Sequence, residues 1–151
     1  MKTYVLIVSQ QFPKTHKKAG AYTHFPALIK AGTKKHTLRN NFELWEKRIL
    51  EVKAGWAVLS VRVWEGKPYN SKQREIQQFD SKSDIGIQKL SNPDNGVWAS
   101  IGDGKIDWDV IAENDGLDFF DFCDWFKSPG SEPMAIIHFT NFRYPEYERN
   151  F

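Results

Sequence analysis

Between residues 41 and 64 the hydrophobic period changes, and that change restricts the fold more than any other feature of the chain. In NFELWEKRILEVKAG (41–55), Phe42, Trp45, Ile49 and Val52 step by three, four and three residues, which lays one apolar stripe along a helix. Glu43 and Lys47 stand four apart on the wet side, and Gly55 closes the helix, since glycine takes a left-handed terminal conformation without strain. WAVLSVRVW (56–64) then alternates. Leu59, Val61 and Val63 take one face, and Ser60, Arg62 and Trp64 the other, which is the period of a strand. A helix feeding straight into a half-buried strand calls for a sheet with helices packed on it.

The remaining segments fit that scheme. KTYVLIVS (2–9) reads as a buried strand, β-branched and continuous. QQFPKTHKKAGAY (10–22) has no period and reads as a loop, long enough to carry function. THFPALIKAG reads as a short helix with Thr23 as N-cap, Pro26 in its first turn and Gly32 at its end. KQREIQQF, IGIQKLS and VWASI read as strands separated by the turns EGKPYNS, DSKSD and NPDNG. DVIAEND and LDFFDFCDWF read as helices joined at Asp115-Gly116. The second takes Asp118 as N-cap and Phe119, Phe122, Cys123 and Phe126 as its buried stripe. MAIIHFTNF (134–142) is a last apolar strand. The expectation is one α+β domain over residues 1–151, with about six or seven strands in a curled sheet or small barrel and three or four short helices.

At 151 residues the chain is long enough to bury roughly 70% of its unfolded surface. A single cysteine, Cys123, rules out an internal disulfide and gives no reason to invoke an oxidising compartment. The apolar run near the N-terminus is too short for a leader or a membrane span, so the cytoplasm is the default location. His24, His36 and His138 lack ligand spacing, and Asp103, Asp107 and Asp109 lack a calcium-loop pattern. No metal and no cofactor is therefore expected. Charge is polarised: residues 1–50 carry ten Lys/Arg against two Glu, and residues 101–151 carry four against eleven acidic residues. Either the basic part faces a polyanion, or the two ends neutralise each other on folding.

AGTKKHTLRN (31–40) concentrates chemistry. Read as extended chain, Lys35, Thr37 and Arg39 share one face, and Lys34, His36 and Leu38 the other. A helix-to-strand junction can break that rule and bring the Lys34 amine to the Thr37 hydroxyl. A desolvated Lys loses its charge readily and can serve as a base, and a hydroxyl beside it has the elements of an activated nucleophile. The plain alternative is a solvated basic turn.

The order of elements and the text ALIKAGTKKHTLR resemble ASCH domains, a branch of the PUA-like superfamily. Their short helix is followed by G-x-K-x-x-T-x-R, here Gly32, Lys34, Thr37 and Arg39. IAENDGLDFFDFCDWF (111–126) looks like the acidic short-helix segment of such domains. The resemblance implies a small PUA-like β-barrel whose mouth receives RNA or a nucleobase-containing small molecule, with Gly32, Lys35, His36 and Arg39 as ligand-binding positions. Some small bacterial ASCH proteins are amidohydrolases that deacetylate N4-acetylcytidine. By that resemblance Lys34 would be the base, Thr37 the nucleophile and Asp115, or Glu113, the proton donor. Asp115 is one methylene shorter than the Glu of those enzymes, and residues 66–106 exceed their length.

Two more stretches belong with this reading. VWEGKPYNSKQ (63–73) interleaves Trp64 and Tyr69 with Lys67 and Lys72, a composition suited to base stacking and phosphate pairing. A hairpin with one ring packed on the sheet is the alternative. Lys14, Lys17 and Lys18 supply a possible basic rim for a phosphate backbone. Three functions stand at this level: a binder of RNA or a modified nucleobase, an amidohydrolase, and a basic protein-interaction adaptor. The tail NFRYPEYERNF either covers a sheet edge or meets a partner, and the oligomeric state is left open.

Overall fold

Two sheets and four helices make up the described residues. The computed structural model describes residues 1–94 and 96–146, and the part of the tail at 147–151 lies outside them. The elements run β1 (Lys2–Ile7), α1 (Phe25–Ala31), β2 (His36–Arg39), α2 (Phe42–Lys53), β3 (Ala57–Trp64), β4 (Gln73–Phe79) and β5 (Gly86–Ser91). They continue through β6 (Ala99–Ile101), β7 (Gly104–Ile106), α3 (Trp108–Asn114), α4 (Phe119–Trp125) and β8 (Met134–His138). The mixed α+β architecture is as expected. The described residues hold eight strands, not six or seven, because GKI at 104–106 pairs as β7 with β6; three residues are too few for a periodic signal.

The strands do not form one closed barrel. β1, β3 and β4 make one sheet, with β1 parallel to β3, and the other five line up as β2-β8-β5-β6-β7. The seam between β1 and β2 is crossed by a side chain: Arg39 Nη2 donates to the Ile7 carbonyl.

The five-stranded sheet separates two cores. Ala135 and Ile137 of β8 face a core built with β1, β3, β4 and the α2 stripe of Trp45, Ile49 and Val52. Met134 and Ile136 face the other, built with Phe25, Leu38, Leu90, Ile111, Ala112, Phe122 and Tyr144. β8 is central and buried throughout, which explains its unbroken apolar text.

Helix ends follow local chemistry with one shift. Gly32 caps α1 at φ 78° and its N–H bonds the Ile29 carbonyl, as the sequence predicts. The N-cap is His24, in the left-handed region, rather than Thr23. The Thr23 hydroxyl instead accepts from Phe25 N (3.2 Å) and donates to the Ser9 carbonyl (2.7 Å), tying α1 to the end of β1. Asp118 caps α4 by accepting from Asp121 N. The α4 stripe is rotated from the expected one. Phe122 and Asp121 are buried, whereas Phe119 and Cys123 are exposed, because α4 turns a carboxylate inward to meet the 12–18 loop.

Candidate functional site

The expected face rule for residues 36–39 holds, and it separates the catalytic candidates. His36 shares the α1/α3/α4 side of β2 with Leu38, leaving Thr37 and Arg39 to the side that faces the three-stranded sheet. Lys34 goes with His36. Its side chain is 1% exposed, and its ammonium donates to the Asp115 carbonyl (2.7 Å) and lies 3.2 Å from Asp115 Oδ1. The Phe25 ring is 4.0 Å below it. Burial lowers the Lys34 pKa, with Asp115 pulling it partly back. Asp115 is buried and Glu113 exposed, so the acid beside Lys34 is Asp115. Gly116 makes this possible: it turns at φ 81°, and a Cβ there would come within 3.2 Å of Lys34 Cβ. No hydrogen bond joins Thr37 to Lys34 or Asp115 among the described residues.

Asp115 continues into a buried polar row. His36 Nδ1 lies 3.2 Å from Asp115 Oδ1, and His36 Nε2 lies 2.6 Å from the Tyr144 hydroxyl. That hydroxyl accepts from Asn114 Nδ2 (3.1 Å), so its own proton goes to His36 Nε2, and His36 Nδ1–H donates to Asp115. His36 is thereby neutral, as burial, the largest influence on its lowered pKa, also demands. Next in register across the sheet is His138, paired with both His36 and Gly86. Gln88 Nε2 donates to the Tyr144 carbonyl, and Gln88 Oε1 accepts from Tyr144 N and from His138 Nε2, each at 2.9 Å. His138 Nδ1 has no partner among the described residues. Burial drives the His138 pKa down to about 2, with His36 and Arg143 adding to the effect. The same burial raises the Tyr144 pKa. Sequence reasoning missed Gln88, Asn114, His138 and Tyr144 as one unit, since they come from four separate segments. The one available signal was a His in each of two apolar strands.

The open site is elsewhere. A cleft of about 620 Å³ lies between residues 8–14 and the 64–68 turn, with Tyr22 on its wall. Trp64, Lys67 and Lys14, expected from separate stretches, line it together. Tyr69 stands next to this wall, its ring 5.2 Å from that of Trp64, and is 86% exposed. Gln10 Nε2 holds the Trp64 carbonyl at 2.9 Å, fixing one wall to the other. Gly32 and Lys35 do not line this cleft; Lys35 Nζ lies 4.9 Å over the Phe142 ring.

Lys17 and Lys18, expected with Lys14 as a basic rim, do not line this cleft and stand beside α4. Lys18 Nζ is 2.6 Å from Asp121 Oδ2 and 3.9 Å from Asp118, and Lys17 Nζ is 3.7 Å from Asp121 Oδ1. His16 Nε2 meets the Asp121 carbonyl at 2.9 Å, and Lys127 Nζ donates to the Thr15 carbonyl at 2.6 Å. The acidic α4 thus holds the basic loop, and part of the charge polarity is met within the molecule. A smaller apolar pocket of about 370 Å³ lies on the other side of α4, lined by Leu38, Trp108, Phe122 and Cys123 among others.

Among the described residues no group of three or more His, Cys, Asp or Glu is placed to hold a metal ion, and no helix is long and apolar enough to cross a membrane. No protein-family model, curated protein or solved structure matches the chain.

Proposed function

We propose that this chain is an ASCH-type, PUA-like domain that binds RNA or a nucleobase-containing small molecule in a cleft flanked by cations. The observation that carries the reading is the convergence of Trp64, Lys67, Lys14, Phe12 and Tyr22 on one hollow of about 620 Å³, a volume within the usual range for ligand sites. Rings with adjacent ammonium groups suit a stacked base and its phosphate, at roughly 1–3 kcal/mol per stacked base. The G-x-K-x-x-T-x-R segment after a short helix supports the kinship, and Arg39 at the seam between the sheets gives that motif a structural part to play.

Hydrolysis has less in its favour. The amine that would act as base is sealed against Asp115, and the hydroxyl that would act as nucleophile projects from the other face of β2. A protein-adaptor role has less of the charge polarity to draw on where Lys17, Lys18 and Lys34 pair internally.

Fluorescence titration with a mixed-sequence single-stranded RNA at 50 and 200 mM salt tests the binder. Affinity is expected to fall with salt, because released counterions drive phosphate contacts, and Trp64→Ala weakens binding about 5- to 150-fold. Salt-insensitive binding, or none, refutes the reading. Turnover of N4-acetylcytidine above a Lys34→Ala control would instead favour the amidohydrolase.

A further inference from the structure

The cleft is lined in part by an acidic residue, which a simple phosphate-binding groove would avoid. Glu65 lines it beside Lys14 and Lys67, and none of the three forms a salt bridge among the described residues. Elsewhere on the molecule exposed lysines are drawn to nearby carboxylates, as at Lys17, Lys18 and Lys127. Here an acidic residue and two lysines line one hollow with no salt bridge among them, so a ligand's own charges and hydrogen-bond donors are left to complete the pattern.

The support for Glu65 is rigid. Glu65 N donates to the Lys72 carbonyl at 2.8 Å, closing the end of the β3–β4 hairpin. Inside that closure Gly66 N donates to Ser71 Oγ (3.0 Å), and the same hydroxyl donates to the Lys67 carbonyl (2.8 Å). The cross-braced turn fixes the backbone from which Glu65 and Lys67 project, which leaves their side chains as the part to be ordered on binding.

An ionised carboxylate only accepts hydrogen bonds, through two adjacent oxygens. Among the four RNA bases, only guanine offers two adjacent donors on its pairing edge, N1–H and N2–H. Adenine and cytosine offer an amino donor next to an acceptor nitrogen, and uracil a single N–H between two carbonyls. Those acceptors would face the carboxylate with no proton between them.

We propose, resting on the reading of this cleft as a nucleobase site, that it selects guanine nucleotides, with Glu65 accepting from the guanine edge and Lys14 and Lys67 taking the phosphate. A bidentate contact of this kind discriminates by about 5- to 150-fold against the wrong base.

The test is titration of the intact chain with 5′-GMP, 5′-AMP, 5′-CMP and 5′-UMP, repeated with Glu65→Gln. The wild-type chain is expected to bind GMP at least about five-fold more tightly than the others. Glu65→Gln, on an exposed turn and checked for an unchanged melting temperature, brings GMP to their level. Equal binding of all four nucleotides, or a GMP preference that survives Glu65→Gln, overturns the guanine assignment and leaves the nucleobase cleft standing. Failure of every nucleotide and of single-stranded RNA to bind overturns both.

Discussion

Asp115→Asn is the sharpest probe of how the interior is held. The substitution keeps the side chain's size and one acceptor oxygen for His36, and removes only the charge facing the Lys34 ammonium. At 3.2 Å and an effective dielectric of about 20, the pair attracts by about 5 kcal/mol, much of it offset by the cost of burying two ions. Losing one partner strands the other, and because Lys34 is 1% exposed water does not replace it. The expected destabilisation is about 3–5 kcal/mol, or roughly 6–20 °C in Tm for a chain of this size. Urea denaturation followed by circular dichroism measures it. Lys34→Met alone is also costly, since it leaves the carboxylate buried beside a neutral His36. The double variant Lys34→Met/Asp115→Asn, with no stranded charge, costs less than the sum of the two by about 2 kcal/mol. A single Asp115→Asn loss below about 1 kcal/mol, or strict additivity in the double variant, refutes the argument that the pair works as a unit.

Acidification acts on the same interior. Burial lowers the pKa of both His36 and His138, the latter to about 2, from an ordinary 6.5. Below pH 6.5 the unfolded chain therefore takes up protons that the folded chain refuses. Stability is complete above that pH and falls as the pH drops, by up to about 1.4 kcal/mol per unit for each group. Urea midpoints at pH 7.5 and 5.5 report the loss, and His138→Phe flattens it; an unchanged slope in that variant sinks the assignment. Gly104→Ala is more damaging than Gly32→Ala. A Cβ at 104 overlaps the Pro145 carbonyl, whereas one at 32 meets nothing within 4 Å and bears only the strain of φ +78°, about 1–2 kcal/mol. Thermal unfolding ranks them, and the reverse order would refute the packing of Pro145 and Glu146 on the β6–β7 hairpin, where Gly104 N donates to the Glu146 carbonyl.

Local pattern carried most of the elements. The stripe of Phe42, Trp45, Ile49 and Val52, the alternation of residues 57–64, the Gly32 stop and the Asp118 cap each depend on neighbours within one turn or one strand, and so are written in the sequence. The alternation through His36, Thr37, Leu38 and Arg39 is equally local, and it already placed Lys34 with His36 and Thr37 with Arg39. What those faces look onto was not local. β8 pairs with β2, about a hundred residues away, and only that pairing sets His36 beside His138 and slides Tyr144 across both. Asp115 could reach Lys34 because Gly116 lets α3 end against the α1 turn, and the inward rotation of α4 followed from a carboxylate that the distant His16–Lys18 loop required. The cleft likewise joins two turns more than fifty residues apart. Sequence sets what each segment prefers on its own, since propensity and capping are short-range energies; which charges become buried, paired or left open to a ligand is decided when remote segments exclude water together.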